Sequence, residues 1–191
     1  KVVAISGGID PVFGTNPLAI GMPSKNGPVV LDMATAAMAY FGLIQADRRN
    51  ENIPGDVAYD QDGNPTTNPG VALKGAIKAF GGHKGSGLAL MVEILTGPLV
   101  GAAIYGDEDV DKNWGNLVIA INPNTMGESK KFLNKVDTLL EHIKAGRLAT
   151  DSQKIFLPGE KGNAETQSKL ENNLMSIDRD LFEQLKEIAQ V

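Results

Sequence analysis

The chain has 191 residues, 42% hydrophobic and 21% charged, a balance that suits a globular protein of one domain or one and a half with a real core. Its net charge of -5 argues against nucleic acid and anionic membrane as main partners, because neither attracts an acidic chain. The absence of cysteine excludes disulfides, thiolate metal sites and cysteine nucleophiles, fits a reducing cytoplasm, and leaves only His83 and His142, too few for a histidine-based zinc site.

The chain opens "KVVAISGG", with a strand-like run and no initiator methionine, and is read as a piece of a longer protein. "NPLAIGMP" (16–23) and "GPVVLDMA" (27–34) are apolar runs separated by the turn-forming "SKNG", which predicts two buried strands in a hairpin-like relation. Ala34 to Ala46, rich in alanine, methionine and leucine, predicts a buried helix. Residues 54–70, "PGDVAYDQDGNPTTNPG", are loop chemistry, and long ordered loops are often functional. Val71 to Ala79 is short helix or extended chain.

Gly87 to Ala103 is apolar nearly all round, as in a central helix, with Pro98 kinking or splitting it. Glu93, the glycines and Pro98 spoil it as a membrane span. "GNLVIAINP" (115–123) predicts a buried strand, and "KIFLPGE" (154–160) a strand running into a turn. Ser129 to Lys144 carries Phe132, Val136, Leu139, Leu140 and Ile143 at helical spacing. Asn163 to Asn173 is polar and helical, and Asp180 to Ala189 is a last helix opened by the capping-box pattern "DLFE". Strands and helices in alternation, with no internal repeat, predict an α/β sandwich.

Four glycines, His83 and Lys84 share the seven positions of "GGHKGSG" (81–87), directly before the apolar helix. It is neither a P-loop nor the Rossmann fingerprint. Backbone N–H groups at a helix start beside a lysine suit an anion; the bland reading is a tight turn with close helix packing. Asp32 ends an apolar strand, where it either meets a ligand or caps the following helix. "FGTNP" reads as an Asn-Pro turn, and Glu160 meets either a ribose hydroxyl or solvent. "YDQDGNPTTNP" lacks the spacing and closing glutamate of a calcium loop. Physics alone stops at an α/β domain with an anion-binding turn at 81–87.

Taken together and in order, "FGTNPLAIGMP", "VVLDMATAAMAY", "YDQDGNPTTNPG", "FGGHKGSGLALMVEILTGPLVGA", "GNLVIAINP" and "LPGE" resemble the malate/L-lactate dehydrogenase family of the second type, unrelated to the Rossmann-fold lactate and malate dehydrogenases. The resemblance spans residues 7–160 and, more weakly, the rest. It implies a mixed-sheet, non-Rossmann nicotinamide-binding domain over 1–160, with C-terminal helices over 161–191 that pack on a domain preceding this chain. It implies that Val30, Leu31, Asp32, Met33 and Ala34, the turn residues His83, Lys84 and Gly85, and Gly159 with Glu160 line the cofactor, NAD or NADP. Arg48 and Arg49 are the arginines available to read a 2′-phosphate.

Some relatives carry tryptophan in place of His83, so the backbone and Lys84 matter more there than the imidazole. The acid-base histidine and substrate-carboxylate arginine of the family fall before "FGTNP", so about 130–150 residues, roughly a domain's worth, are expected upstream. No residue of this chain is therefore assigned as catalytic. Ser6 stands where relatives often have tryptophan, a change on a substrate-side wall, and "NNLMSIDRD" lacks the usual glycine. The implied activity is a cytoplasmic, homodimeric NAD(P)-dependent oxidoreductase interconverting a small 2-oxo acid and 2-hydroxy acid, malate or L-lactate by default. The alternatives are a ureidoglycolate dehydrogenase, a cyclic imino-acid or diketogulonate reductase, and a cofactor-binding piece inactive without its N-terminal part.

Overall fold

The computed structural model describes residues 1–107 and 113–189. It divides into two compact units, one made of 1–21 and 30–132, the other of 22–29 and 133–191.

The first unit is built on a four-stranded sheet in the order β2-β1-β6-β5. β1 (Val3–Ala4) pairs antiparallel with β2 (Pro11–Phe13) and parallel with β6 (Ala76–Ile77). β6 pairs antiparallel with β5 (Ala58–Tyr59). The sheet is thus mixed, unlike a doubly wound parallel one, as the resemblance implies. Each strand is short, and the apolar residues at the register positions make the core: Val3 faces Phe13 and Ile77, and Ile77 faces Ala58. Leu43 from α1 (Tyr40–Arg48) and Ala89 from α3 (His83–Thr96) complete it. α2 (Pro69–Ala72) is opened by Asn68, whose side chain accepts the Val71 N–H at 3.1 Å.

α3 stops at Gly97, and Pro98 begins a separate 3₁₀ turn, so the long apolar helix is split rather than kinked. α1 starts at Tyr40, later than the composition of 34–46 predicts. Tertiary hydrogen bonds hold that stretch extended: the Thr35 N–H donates to Thr15 O at 2.9 Å and the Ala37 N–H to Lys78 O at 2.8 Å. Local helix propensity is worth less than these bonds. Arg48 therefore closes α1 and Arg49 caps it, rather than lying in a loop.

β3 (Leu18–Met22) and β4 (Val29–Met33) form the expected two-stranded sheet, but most of its side chains are exposed or half-exposed, not buried. Residues 115–123 form no strand: Val118 is 89% and Ile119 74% exposed. Apolar alternation makes a strand only where a neighbouring strand takes up the backbone bonds, and this segment has none among the described residues. Gly115 instead lies against the end of α3, where a Cβ would come within 1.9 Å of the Thr96 carbonyl oxygen.

In the second unit, α4 (Ser129–Lys144) spans the predicted helix, and α5 (Glu160–Asn172) is helical as expected for 163–173 but begins three residues earlier. Residues 154–157 are not a strand. α6 (Arg179–Ala189) is opened by Asp178, whose carboxylate accepts the Asp180 N–H at 3.1 Å, instead of by the predicted Asp180 box.

Candidate functional site

In the first unit the glycine-rich turn is held by its backbone. The Phe80 N–H donates to Thr35 O at 3.0 Å, which ties the turn to the chain leaving β4. Thr35 is fully buried, and its hydroxyl lies 3.0 Å from both Thr15 O and Asn16 O. Gly81 and Gly82 take positive φ values of 57° and 63°, and a Cβ at either would meet nothing within 4 Å. The turn therefore presents bare backbone to open space just ahead of α3. Gly85 does a different job, since a Cβ there would come within 2.0 Å of the Phe80 carbonyl oxygen. The packing reading holds at Gly85, while Gly81 and Gly82 leave the backbone open.

His83 and Lys84 are exposed in the first turn of α3, where N–H groups lack intrahelical acceptors. Ser86, buried behind them, accepts the Ser6 N–H at 2.9 Å. Asn16 of "FGTNP" has a left-handed φ of 39°. Its amide donates to Ala89 O at 3.0 Å and to Glu93 Oε2 at 2.8 Å. The Asn-Pro turn is thus a clamp on α3.

Val30 to Ala34 run along β4 and out of it, with Leu31 and Asp32 exposed and Val30, Met33 and Ala34 half-buried. Asp32 caps no helix: α1 begins at Tyr40, and its N-cap residue is Ala39.

A cavity of about 300 Å³ opens beside the turn. Ala4, Ile5 and Ser6 line it at the carboxyl end of β1, and Lys78 and Ala79 line it at the carboxyl end of the parallel β6. Ligands of open α/β sheets occupy that edge, beyond the carboxyl ends of parallel strands. Tyr59 lies under the Lys78 ammonium, with Nζ 4.4 Å from the ring centroid. The sequence reading missed Lys78, Tyr59 and Asp56. The signal that marks Lys78 is its place in "IKAFGG", three positions ahead of Gly81.

Asp60, in the long loop, accepts N–H bonds from Asp62 at 2.9 Å and Asn64 at 2.8 Å. The Asn64 backbone and side chain lower its pKa most. It is the organiser of an Asx turn.

Gly159 and Glu160 belong to the second unit, at the start of α5. Glu160 lines a groove of about 190 Å³ together with Gly27, Asp137, Lys144 and Leu157. Gly159 caps α5 with φ 86°. Glu160 takes neither sequence reading alone: its carboxylate pairs with Lys144 and accepts the Leu157 N–H at 3.1 Å. The Lys144 hydrogen bond, then the Leu157 N–H, hold its carboxyl below the usual glutamate range. Asp137, 8% exposed, accepts the Lys25 N–H at 3.0 Å, and its second oxygen lies 3.5 Å from the Lys25 ammonium without hydrogen-bond geometry. Among the described residues no group of three or more His, Cys, Asp or Glu is placed to hold a metal.

The model of the malate/L-lactate dehydrogenase family matches residues 1–186. The chain belongs to that family. Malate/(S)-sulfolactate dehydrogenase of Methanothermus fervidus is 42% identical over 98% of this chain and 55% of its own length. A Δ1-pyrroline-2-carboxylate/Δ1-piperideine-2-carboxylate reductase of Pseudomonas aeruginosa is 40% identical over 81% of this chain and 49% of its own. The solved sulfolactate dehydrogenase of Methanocaldococcus jannaschii superposes with a TM-score of 0.85 at 38% identity, over 99% of this chain and 56% of that one. The chain thus spans about half the length of the relatives it matches.

Proposed function

We propose that this chain is the cofactor-binding portion of an NAD(P)-dependent oxidoreductase that interconverts a small 2-oxo acid and 2-hydroxy acid, malate or L-lactate by default. The observation that carries the reading is the turn at 81–84: two positive-φ glycines facing open space, a helix start behind them, and an exposed lysine beside them. Such a cradle fits the doubly anionic pyrophosphate of a dinucleotide, because backbone N–H groups approach closely only where no Cβ intervenes.

In this reading His83, Lys84 and Gly85 form the phosphate end and Val30, Leu31, Asp32, Met33 and Ala34 form a wall of the cofactor site; the family resemblance also assigns Gly159 and Glu160 to the cofactor. The nicotinamide, when bound, supplies hydride transfer. The chain's own residues bind and orient it, with cofactor contacts within 1–160 and a docking role for 161–191. Homodimerisation and a cytoplasmic location belong to the same proposal; no helix of the described residues is long and apolar enough to cross a membrane.

Reduction of a cyclic imino acid is the second reading, favoured by the 40% identity to the Pseudomonas aeruginosa reductase. Lys84→Ala tests the cofactor assignment. It is expected to weaken NAD(P)H binding by about 1.5–3 kcal/mol, the worth of a charge-assisted hydrogen bond. Unchanged affinity in a fluorescence titration removes Lys84 from the site. A panel of malate, lactate and cyclic imino acids with each cofactor, run on the full-length protein, separates the two readings.

A further inference from the structure

We infer that Lys78 supplies the cation of the phosphate cradle: its ammonium meets the pyrophosphate of the dinucleotide held over Gly81 and Gly82. The inference rests on the oxidoreductase reading above and adds to that site a residue outside the cofactor motifs.

Gly81 and Gly82, the bare backbone of the turn, line one cavity with Lys78, whereas Lys84, in the first turn of α3, lies outside it. The positive side chain that shares space with the open turn is therefore Lys78. Its backbone is fixed on both sides: its N–H donates to Val57 O and its carbonyl accepts from the Ala37 N–H, both at 2.8 Å. The side chain is half-buried, with Nζ 4.4 Å from the centroid of the Tyr59 ring. A lysine already laid on a ring has less rotamer freedom to lose when an anion arrives. Among the described residues that ring is its one side-chain partner. A cation over a ring face keeps its positive charge available, whereas one paired to a carboxylate does not.

The walls of the cavity say which part of the cofactor belongs there. Ala4 and Ala79 are buried at 2% and 7% exposure, while Gly81, Gly82 and Asp56 are exposed. A volume of about 300 Å³ takes one segment of a dinucleotide and not the whole. Bare backbone and an ammonium together select negative charge. The pyrophosphate carries that charge, whereas adenine is neutral and the oxidised nicotinamide ring is itself a cation. Asp56 is exposed, so solvent and salt screen its repulsion of the phosphates.

Fluorescence titration of the full-length protein with NADH and with NADPH tests the assignment. Lys78→Met, which keeps the apolar stem over Tyr59, is expected to raise the Kd of the bound dinucleotide by roughly 10- to 100-fold. Lys78→Arg should stay within about threefold of wild type, because a guanidinium also pairs with phosphate. ADP-ribose, which keeps the pyrophosphate and lacks the nicotinamide, should lose affinity for Lys78→Met by the same factor as NAD(P)H. The unliganded melting midpoint of Lys78→Met should match wild type; if that variant melts early, Lys78→Gln carries the same test.

Weaker NAD(P)H binding with ADP-ribose unaffected would put Lys78 at the nicotinamide end and overturn the assignment. An equal Kd in wild type and Lys78→Met also overturns it, and leaves the oxidoreductase reading standing. A wild type that binds neither dinucleotide overturns that reading and this inference with it.

Discussion

The two units differ in how much apolar side chain they bury. In the first, Val3, Leu43 and Ile77 are each at most 2% exposed, and the strands, though only a few residues long, close around them. In the second, among the described residues, the one buried residue is Asp137, at 8% exposure. Its last helix turns Leu181, Phe182, Leu185 and Ile188 to solvent, at 43%, 46%, 45% and 79% exposure. An amphipathic stripe normally marks a buried face. The first unit closes a core yet leaves Phe41, Met91, Leu99 and Val118 at 76%, 49%, 62% and 89% exposure, whereas among the described residues of the second no apolar side chain is buried.

The largest expected effect tests the first half of this contrast. Leu43→Ala removes a side chain 1% exposed from the core and should cost about 2–5 kcal/mol. Leu185→Ala, on the open stripe, should stay within about 0.5 kcal/mol. Urea unfolding of both variants measures the difference, and equal losses would show that the α6 stripe is covered in solution.

Next comes the glycine turn. Gly85→Ala drives a Cβ into the Phe80 carbonyl and should destabilise by about 1–3 kcal/mol. Gly81→Ala and Gly82→Ala meet no atom, so their cost is backbone strain at positive φ, of order 1–3 kcal/mol, together with weaker cofactor binding. Gly85→Ala should lose stability with the surviving folded fraction still binding cofactor; the other two should lose both. Thermal melts with and without NAD(P)H separate the packing glycine from the approach glycines.

These elements also show what the sequence makes legible. α4 and the β3–β4 hairpin follow from local pattern, a helical stripe and "SKNG" between apolar runs; α3 forms as a helix but is not central, with Leu90, Met91, Ile94 and Leu95 at 37%, 49%, 44% and 41% exposure. Residues 115–123 carry an equally good strand pattern and form none, because a strand is completed by its neighbour and not by its own side chains. β5 and β6 are two residues each, too short for any period to register, and they are what aims Tyr59 and Lys78 at the cavity. The residues proposed to meet the cofactor lie in motifs and are readable one segment at a time. The cavity beside them arises from strand ends distant in sequence, so only the fold brings it together.

The α6 stripe gives a smaller effect on folding and a visible one on association. An exposed apolar stripe of this kind drives self-association. Phe182→Ser with Leu185→Ser should raise the monomer fraction in sedimentation velocity while the unfolding midpoint moves little. A wild-type chain that is already monomeric would show that the stripe has no partner of its own kind.

The smallest expected effect is at Glu160. Its carboxyl sits below the usual glutamate range because the Lys144 ammonium, then the Leu157 N–H, favour the charged form. A depressed pKa adds stability that is fully present above the unfolded value. That contribution is lost as the pH falls through the lower folded value. Glu160→Gln should therefore lower the unfolding midpoint slightly at about pH 7 and have no effect at about pH 3, below both values. The pair is solvent-exposed, so added salt should shrink the effect at neutral pH. If Glu160 also meets a cofactor hydroxyl, Glu160→Gln should weaken NAD(P)H binding at neutral pH by more than it lowers stability. Equal and salt-sensitive losses in both would confine Glu160 to holding the start of α5 against α4.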